Sequence, residues 1–118
     1  MAYIMIVQDH FDAAHYLRDY QGKCQREHGH RWTIEVGIRG KKLDNLNMLV
    51  DFTTVKKELK EVLDKLDHYQ LNEVLSEPHP TAEFLAEWIY NQLKWYGLMY
   101  VRVWESYPEC SVQYDGKE

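Results

Sequence analysis

The chain has 118 residues, 45% hydrophobic and 28% charged, enough for one compact core and too few for two ordinary domains, so residues 1–118 are expected to form a single domain. These fractions sit near globular averages and exclude intrinsic disorder. Fourteen Lys and Arg against nineteen Asp and Glu leave a net charge of −5, which argues against a nucleic-acid binder, because phosphate neutralisation supplies most non-specific affinity. The longest apolar run, Met1 to Val7, is far short of the roughly 18 residues of a membrane span, and no signal-peptide cleavage pattern follows it. The expectation is a cytoplasmic protein with no membrane partner, whose two cysteines, Cys24 and Cys110, form no disulfide framework.

Hydrophobic period predicts two strands, two helices and two strands. From Tyr3 to His15, alternation places Met5, Val7, Phe11 and Ala13 on one face and Gln8, His10 and Asp12 on the other, with His15 sharing the apolar parity. After a polar loop from Arg18 to Glu27, Trp32, Ile34, Val36 and Ile38 alternate with polar or small residues. If that strand begins at position 28, His28 and His30 point to its apolar side. Asp51 stands as a helix N-cap before Val55, Leu59, Val62, Leu63 and Leu66. Pro80 and Thr81 announce a second helix, with Glu83 in its first turn, a stripe of Phe84, Leu85, Trp88, Ile89 and Leu93, and Gly97 at its end. Val101, Val103 and Glu105 share a face of a third strand, and Cys110 to Tyr114 reads as a fourth. Strands flanking adjacent helices predict an α+β fold: an antiparallel four-stranded sheet with two helices packed on one face, in the order β-β-α-α-β-β.

The chemistry concentrates in Cys24-Gln-Arg-Glu-His28-Gly29-His30. Side chains two apart on a strand share a face, so His28 and His30 aim at one point. His15, on an adjacent strand with matching parity, would supply a third imidazole, the zinc pattern that leaves a fourth position open for water or substrate. Cys24 either completes a closed structural site or is a reactive thiol, its pKa lowered by Lys23 and Arg26; spacing does not decide. Asp67-His68 can form a carboxylate-imidazole proton relay, although from this segment alone a His complementing a helix C-terminus is the better reading. Glu105 in an apolar strand must meet an Arg, a ligand with two donors, or solvent. Cys110, in line with Val112 and Tyr114, reads as a buried small hydrophobe.

These residues resemble the family of 6-pyruvoyltetrahydropterin and 6-carboxytetrahydropterin synthases over nearly the whole chain. Five motifs carry the resemblance in order: Phe11-Asp12-Ala13-Ala14-His15, Cys24 through His30, Leu66 through Asn72, Pro80-Thr81-Ala82-Glu83 and Trp104-Glu105-Ser106. The short gap between Cys24 and His28 is similar to the bacterial queuosine-pathway branch, since the pyruvoyl-forming enzymes usually have a longer one. Phe84 stands where the family often has Asn, and Ser106 where Thr is common.

The resemblance implies one Zn2+ per subunit on His15, His28 and His30, with Cys24 as general base and Asp67 and His68 as its proton-transfer partners. It implies that Glu105 anchors the pterin's amino and ring N–H edge, with Thr81 adding a contact. The implied reaction converts 7,8-dihydroneopterin triphosphate to 6-carboxy-5,6,7,8-tetrahydropterin, releasing acetaldehyde and triphosphate. Lys23, Arg26 and Arg31 are the local cations for the triphosphate. The implied architecture is the tunnelling fold, in which subunit sheets join into a barrel, assembled as a homohexamer of two trimers. Active sites then lie between subunits, so that Glu105 is free to serve a neighbour's zinc. The alternatives are a 6-pyruvoyltetrahydropterin synthase, which uses the same site, and a zinc-stabilised binding module without turnover, in which Cys24 closes the metal site.

Overall fold

The computed structural model describes residues 1–116, with the Cys24 side chain outside the described set. Strand β1 (Tyr3–His15) and strand β2 (His28–Gly40) pair antiparallel without interruption from Tyr3↔Gly40 to His15↔His28. Strand β3 (Leu98–Ser106) pairs with β2 and strand β4 (Cys110–Tyr114) with β3, giving the spatial order β1-β2-β3-β4. Between β2 and β3 the chain forms helix α1 (Phe52–Leu63), a single turn α2 (Leu71–Val74) and helix α3 (Ala82–Leu93). The short α2 and a 3-10 turn at Lys23–Gln25 are additions to the expected element order.

Alternation builds the core as expected. Val7, Phe11 and Ala13 of β1, Trp32, Ile34 and Val36 of β2, and Val101 and Val103 of β3 are buried under α1 and α3. The helices contribute Val55, Leu59, Val62 and Leu63, and Leu85, Ala86, Ile89 and Leu93. Burying each large aliphatic side chain contributes about 1.5–3 kcal/mol. The Asp51 carboxylate accepts from the Thr53 N–H at 2.8 Å, and Thr81 Oγ1 accepts from the Phe84 N–H at 3.2 Å, so both N-caps stand where the sequence puts them.

The predicted stripe of α3 is shifted. Phe84 and Trp88 are only half-buried, whereas Ala86 is fully buried, because a small side chain lets the helix axis approach the sheet. The helix ends at Leu93, with Lys94 in the left-handed region at φ 48°. Gly97 instead serves the turn into β3, where φ is 82° and an added Cβ would meet the Arg39 carbonyl at 2.6 Å.

The opposite face of the sheet carries no helix and is polar at its centre. Gln8, Glu35, Arg102 and Gln113 form one cross-strand row through all four strands. Gln8 Nε2 donates to Glu35 at 2.8 Å and Arg102 donates to Gln113 at 2.7 Å. The Tyr100 hydroxyl donates to Glu35 at 2.6 Å; burial, and then this bond to a carboxylate, push its pKa up to about 12. No helix among the described residues is long and apolar enough to cross a membrane.

The outer edge of β1 is covered over part of its length. Asp12 accepts from the His68 N–H at 2.6 Å and donates its own N–H to Asp67 Oδ1 at 2.9 Å, and Ala14 bridges to Gln70 in parallel. Toward Tyr3 no strand among the described residues pairs with that edge, and Tyr3, Ile4 and Ile6 are each more than half exposed. The packing yields a contrast between two residues of α3. Ile89→Ala is expected to lower stability by about 2–5 kcal/mol in urea unfolding, and Phe84→Ala by clearly less; equal losses would return Phe84 to the core.

Candidate metal centre

The β1/β2 register places His15 directly opposite His28, and His30 opposite Ala13. The three imidazoles gather with ring centroids 4.5 Å (His15–His28), 5.4 Å (His15–His30) and 4.7 Å (His28–His30) apart. Trp32 meets His15 and His30 edge-on at 4.8 and 5.6 Å and walls the cluster off from the core. His15 is 2% exposed.

Two main-chain carbonyls set the tautomers. His15 Nδ1 lies 2.8 Å from the Pro80 carbonyl oxygen and His28 Nδ1 lies 2.7 Å from that of Arg26. A carbonyl can only accept, so each Nδ1 carries its proton and each Nε2 keeps a lone pair. Metal-binding histidines are held in this way. The Nε2 atoms of His15 and His30 are buried and make no hydrogen bond, a costly state for a polar atom unless a ligand fills the space between them. The fourth group there is Glu105, with Oε1 3.2 Å from His30 Nε2 and Oε2 3.6 Å from His15 Nε2.

Glu105 reaches this position at an irregularity in the β3/β4 ladder between Trp104 and Ser106, the kind of local kink that re-aims a side chain. It stands beside the histidines of its own chain. All four residues offer ligand atoms within 4.8 Å of one another, a nitrogen and oxygen donor set suited to Zn2+. Burial lowers the pKa of both His15 and His30, outweighing the opposing pull of the Pro80 carbonyl on the first and of Glu105 on the second. Both are thereby kept in the neutral form a metal requires.

The other predicted residues divide. Thr81 caps α3 and also lines a cleft of about 250 Å³ with His15, Glu83, Glu105 and Cys110, so one residue serves both the helix and the mouth of the site. Cys110 is exposed there, contrary to the buried reading: its parity faces inward, but β4 begins at the cleft rather than under a helix. The Cys24 side chain lies outside the described residues.

Asp67 and His68 do form the predicted pair, with Nδ1 2.8 Å from Asp67 Oδ2. The Asp12 N–H first, and then His68, hold the Asp67 carboxyl below the usual carboxylate range. This pair is not among the imidazoles. His68 lines an open cleft of about 540 Å³ with Asp12, Gly29, His30 and Arg31, and Asp12, Asp67 and His68 form a cluster of their own beside the set of three histidines and Glu105. Nor is the pair a helix terminus, since α1 has ended at Leu63. Arg31 is engaged by Asp12 through Nε at 2.9 Å and NH2 at 3.1 Å, which leaves it less free for an anion than Lys23 or Arg26. Sequence reasoning gave no role to Pro80 and Arg26 as carbonyl donors of geometry, because a main-chain oxygen has no residue-type signature.

The family model described as 6-pyruvoyl tetrahydropterin synthase matches residues 4–117. The chain belongs to this family. It is 37% identical to the 6-carboxy-5,6,7,8-tetrahydropterin synthase of Synechocystis sp., an alignment covering 71% of this chain and 69% of that protein. It is 34% identical to the Bacillus subtilis protein of the same name over 86% of this chain and 69% of that one. Its fold is similar to that of Caenorhabditis elegans 6-pyruvoyl tetrahydropterin synthase, with a TM-score of 0.88, 28% identity, and 99% and 97% of the two chains covered. The five sequence motifs thus fall within a matched family whose members carry both enzyme names.

Two outcomes are expected of the metal-free protein and its variants. His15 and His30 resist protonation when folded, so the unfolded chain binds more protons once pH falls below the ordinary histidine value of about 6.5. Stability of metal-free protein should therefore drop with acidification from that point and level off below the folded values, as read by urea unfolding across pH; a flat profile would contradict the buried neutral imidazoles. Elemental analysis after dialysis against Zn2+ should find one ion per wild-type chain and none on His28→Ala.

Proposed function

We propose that this chain is a zinc-dependent lyase that converts 7,8-dihydroneopterin triphosphate and one water to 6-carboxy-5,6,7,8-tetrahydropterin, acetaldehyde and triphosphate, in the cytoplasm, on the route to queuosine. The observation that carries this reading is the set of three imidazoles with two orphaned Nε2 atoms facing the Glu105 carboxylate, in a chain of the pterin synthase family. The names of the Synechocystis and Bacillus subtilis relatives, and the short gap from Cys24 to His28, favour the carboxy product.

His15, His28 and His30 would hold the zinc, which when bound would supply Lewis acidity toward protons on the substrate's side chain. Cys24 is the general base that takes such a proton. Glu105 offers two acceptor oxygens to the amino and N–H edge of the pterin ring, a charge-assisted pairing that fixes the ring's orientation, and Thr81 sits at the mouth of that cleft. His68 has its Nδ1 proton on Asp67 and so presents Nε2 for proton transfer. Oxidation of the side chain balances reduction of the ring, and no redox cofactor is required. Lys23 and Arg26 are the cations we assign to the triphosphate.

Within one protomer Asp67 and His68 belong to a cluster distinct from that of the three histidines and Glu105, and in this reading a complete site takes them from another copy. Two features support assembly into a hexamer of two trimers with the sheets joined into a barrel. Among the described residues no strand pairs with the β1 edge toward Tyr3 or with the outer edge of β4, an arrangement that invites strand addition. The helix-free face carries a polar row suited to a wet interior.

The deciding experiment is anaerobic incubation of zinc-loaded protein with 7,8-dihydroneopterin triphosphate, with products read by mass and acetaldehyde assayed. Carboxytetrahydropterin with acetaldehyde is expected. A pyruvoyl product would move the chain to the branch named for the Caenorhabditis elegans structure, and no turnover with zinc bound would sink the reading. Cys24→Ala should keep zinc and fold while turnover falls by at least about 100-fold, in line with loss of a general base; loss of zinc would instead make Cys24 a ligand. Glu105→Gln should weaken substrate binding, because one acceptor of the clamp becomes a donor.

A further inference from the structure

Only two polar side chains are buried among the described residues, His15 and Asn72. Asn72 lies in the turn α2, outside the set of histidines and Glu105, and its amide is fully used. Oδ1 accepts from the Tyr16 N–H at 3.0 Å and from Gln70 Nε2 at 3.1 Å, and Nδ2 donates to the carbonyls of Tyr16 at 2.9 Å and Pro78 at 3.2 Å. A main-chain N–H only donates and a carbonyl only accepts, so the amide has a single orientation. A residue that merely capped a one-turn helix would not need three bonds to Tyr16 and Pro78, two segments outside that turn.

Those segments are the two ends of the contact that sets the His15 tautomer. Tyr16, gripped through both its N–H and its carbonyl, follows His15 directly. Pro78 stands two residues before Pro80, whose carbonyl holds His15 Nδ1 at 2.8 Å. The link from Pro78 to Pro80 is stiff: both prolines have fixed φ, the residue between them is restricted by the proline that follows, and the Thr81 N–H closes onto the His79 carbonyl at 2.9 Å. Fixing the Pro78 carbonyl therefore fixes where the Pro80 carbonyl points.

We propose that Asn72 is a positioning residue of the metal centre: by clamping Tyr16 to Pro78 it sets the bond between His15 and Pro80, and through it the aim of His15 Nε2. The proposal rests on the metal-centre reading. Loss of an outer partner of a metal-binding histidine typically costs 10–100-fold in affinity, and Asn72, one step further out, is placed at the low end, near tenfold.

The test measures Co2+ and Zn2+ affinity by competition with a chromophoric chelator, together with the visible spectrum of the Co2+ protein, for wild type, Asn72→Asp and Asn72→Ala. Val55→Ala, a cavity in α1 away from the site, serves as a control compared at equal fraction folded. Both Asn72 variants should bind Co2+ about tenfold more weakly with an altered spectrum, while Val55→Ala keeps the wild-type affinity and spectrum. Folded Asn72 variants with wild-type affinity and spectrum overturn the proposal, as does an equal loss in Val55→Ala. If both Asn72 variants fail to fold, Pro78→Gly decides, since it keeps the amide but loosens the link to Pro80: weaker binding supports the proposal and unchanged binding overturns it. Failure of the wild type to bind either ion is a different result, which removes the metal reading and the proposal with it.

Discussion

The uninterrupted register between β1 and β2 is the constraint on which the site depends. From Tyr3↔Gly40 to His15↔His28 no bulge intervenes, so the apolar alternation that buries Val7, Phe11, Trp32 and Ile34 also dictates where the last residues of β1 and the first of β2 point. Side chains on a strand have period two, and a slip of one residue would turn every one of them to the other face. His15 and His30 are thus aimed inward by the same hydrophobic force that seats the core, without local backbone strain. Trp32, fully buried next to the histidines, joins the two regions physically.

The electrostatics of the cluster follow from that placement. Three imidazoles and a carboxylate converge around the buried His15, and the carbonyls of Pro80 and Arg26 leave lone pairs rather than protons on the inner nitrogens of His15 and His28. Lone pairs facing a carboxylate repel one another, and a cation between them reverses the sign of every such contact. The arrangement consequently suits a bound cation. The nearby Asp12, Arg31, Asp67 and His68 group is the opposite case, with each carboxylate already paired within the group.

Much of this was legible in residue order. Alternation from Tyr3 to His15 and from Trp32 to Ile38 gave both strand faces and hence the convergence of three histidines, and the caps Asp51 and Thr81 marked both long helices. What was not legible depended on main chain or on distance. The carbonyls of Pro80 and Arg26 act without a side chain. Asn72 joins segments far apart in sequence, and a helix as short as Leu71–Val74 has no periodicity to detect. Cys110 and Phe84 misled because parity tells which face a residue takes but not whether another element covers it there. The pairing of Asp67 with His68 was readable from adjacency, yet its position in a cluster of its own depends on where the chain crosses the edge of β1.

That crossing also acts as a stop. The main-chain groups of Asp12 that point outward are taken by Asp67 and His68, and the His10 N–H is closed by the Asp9 carboxylate at 2.7 Å. By the two-residue period of an antiparallel edge, the outward pairs left open belong to Ile4, Ile6 and Gln8. An added strand thus finds a short berth bounded at one end, comparable to the five residues of β4. The chain carries a built-in length gauge: an extended segment laid along the β1 edge could pair from Ile4 to Gln8 and no further, whatever its own length.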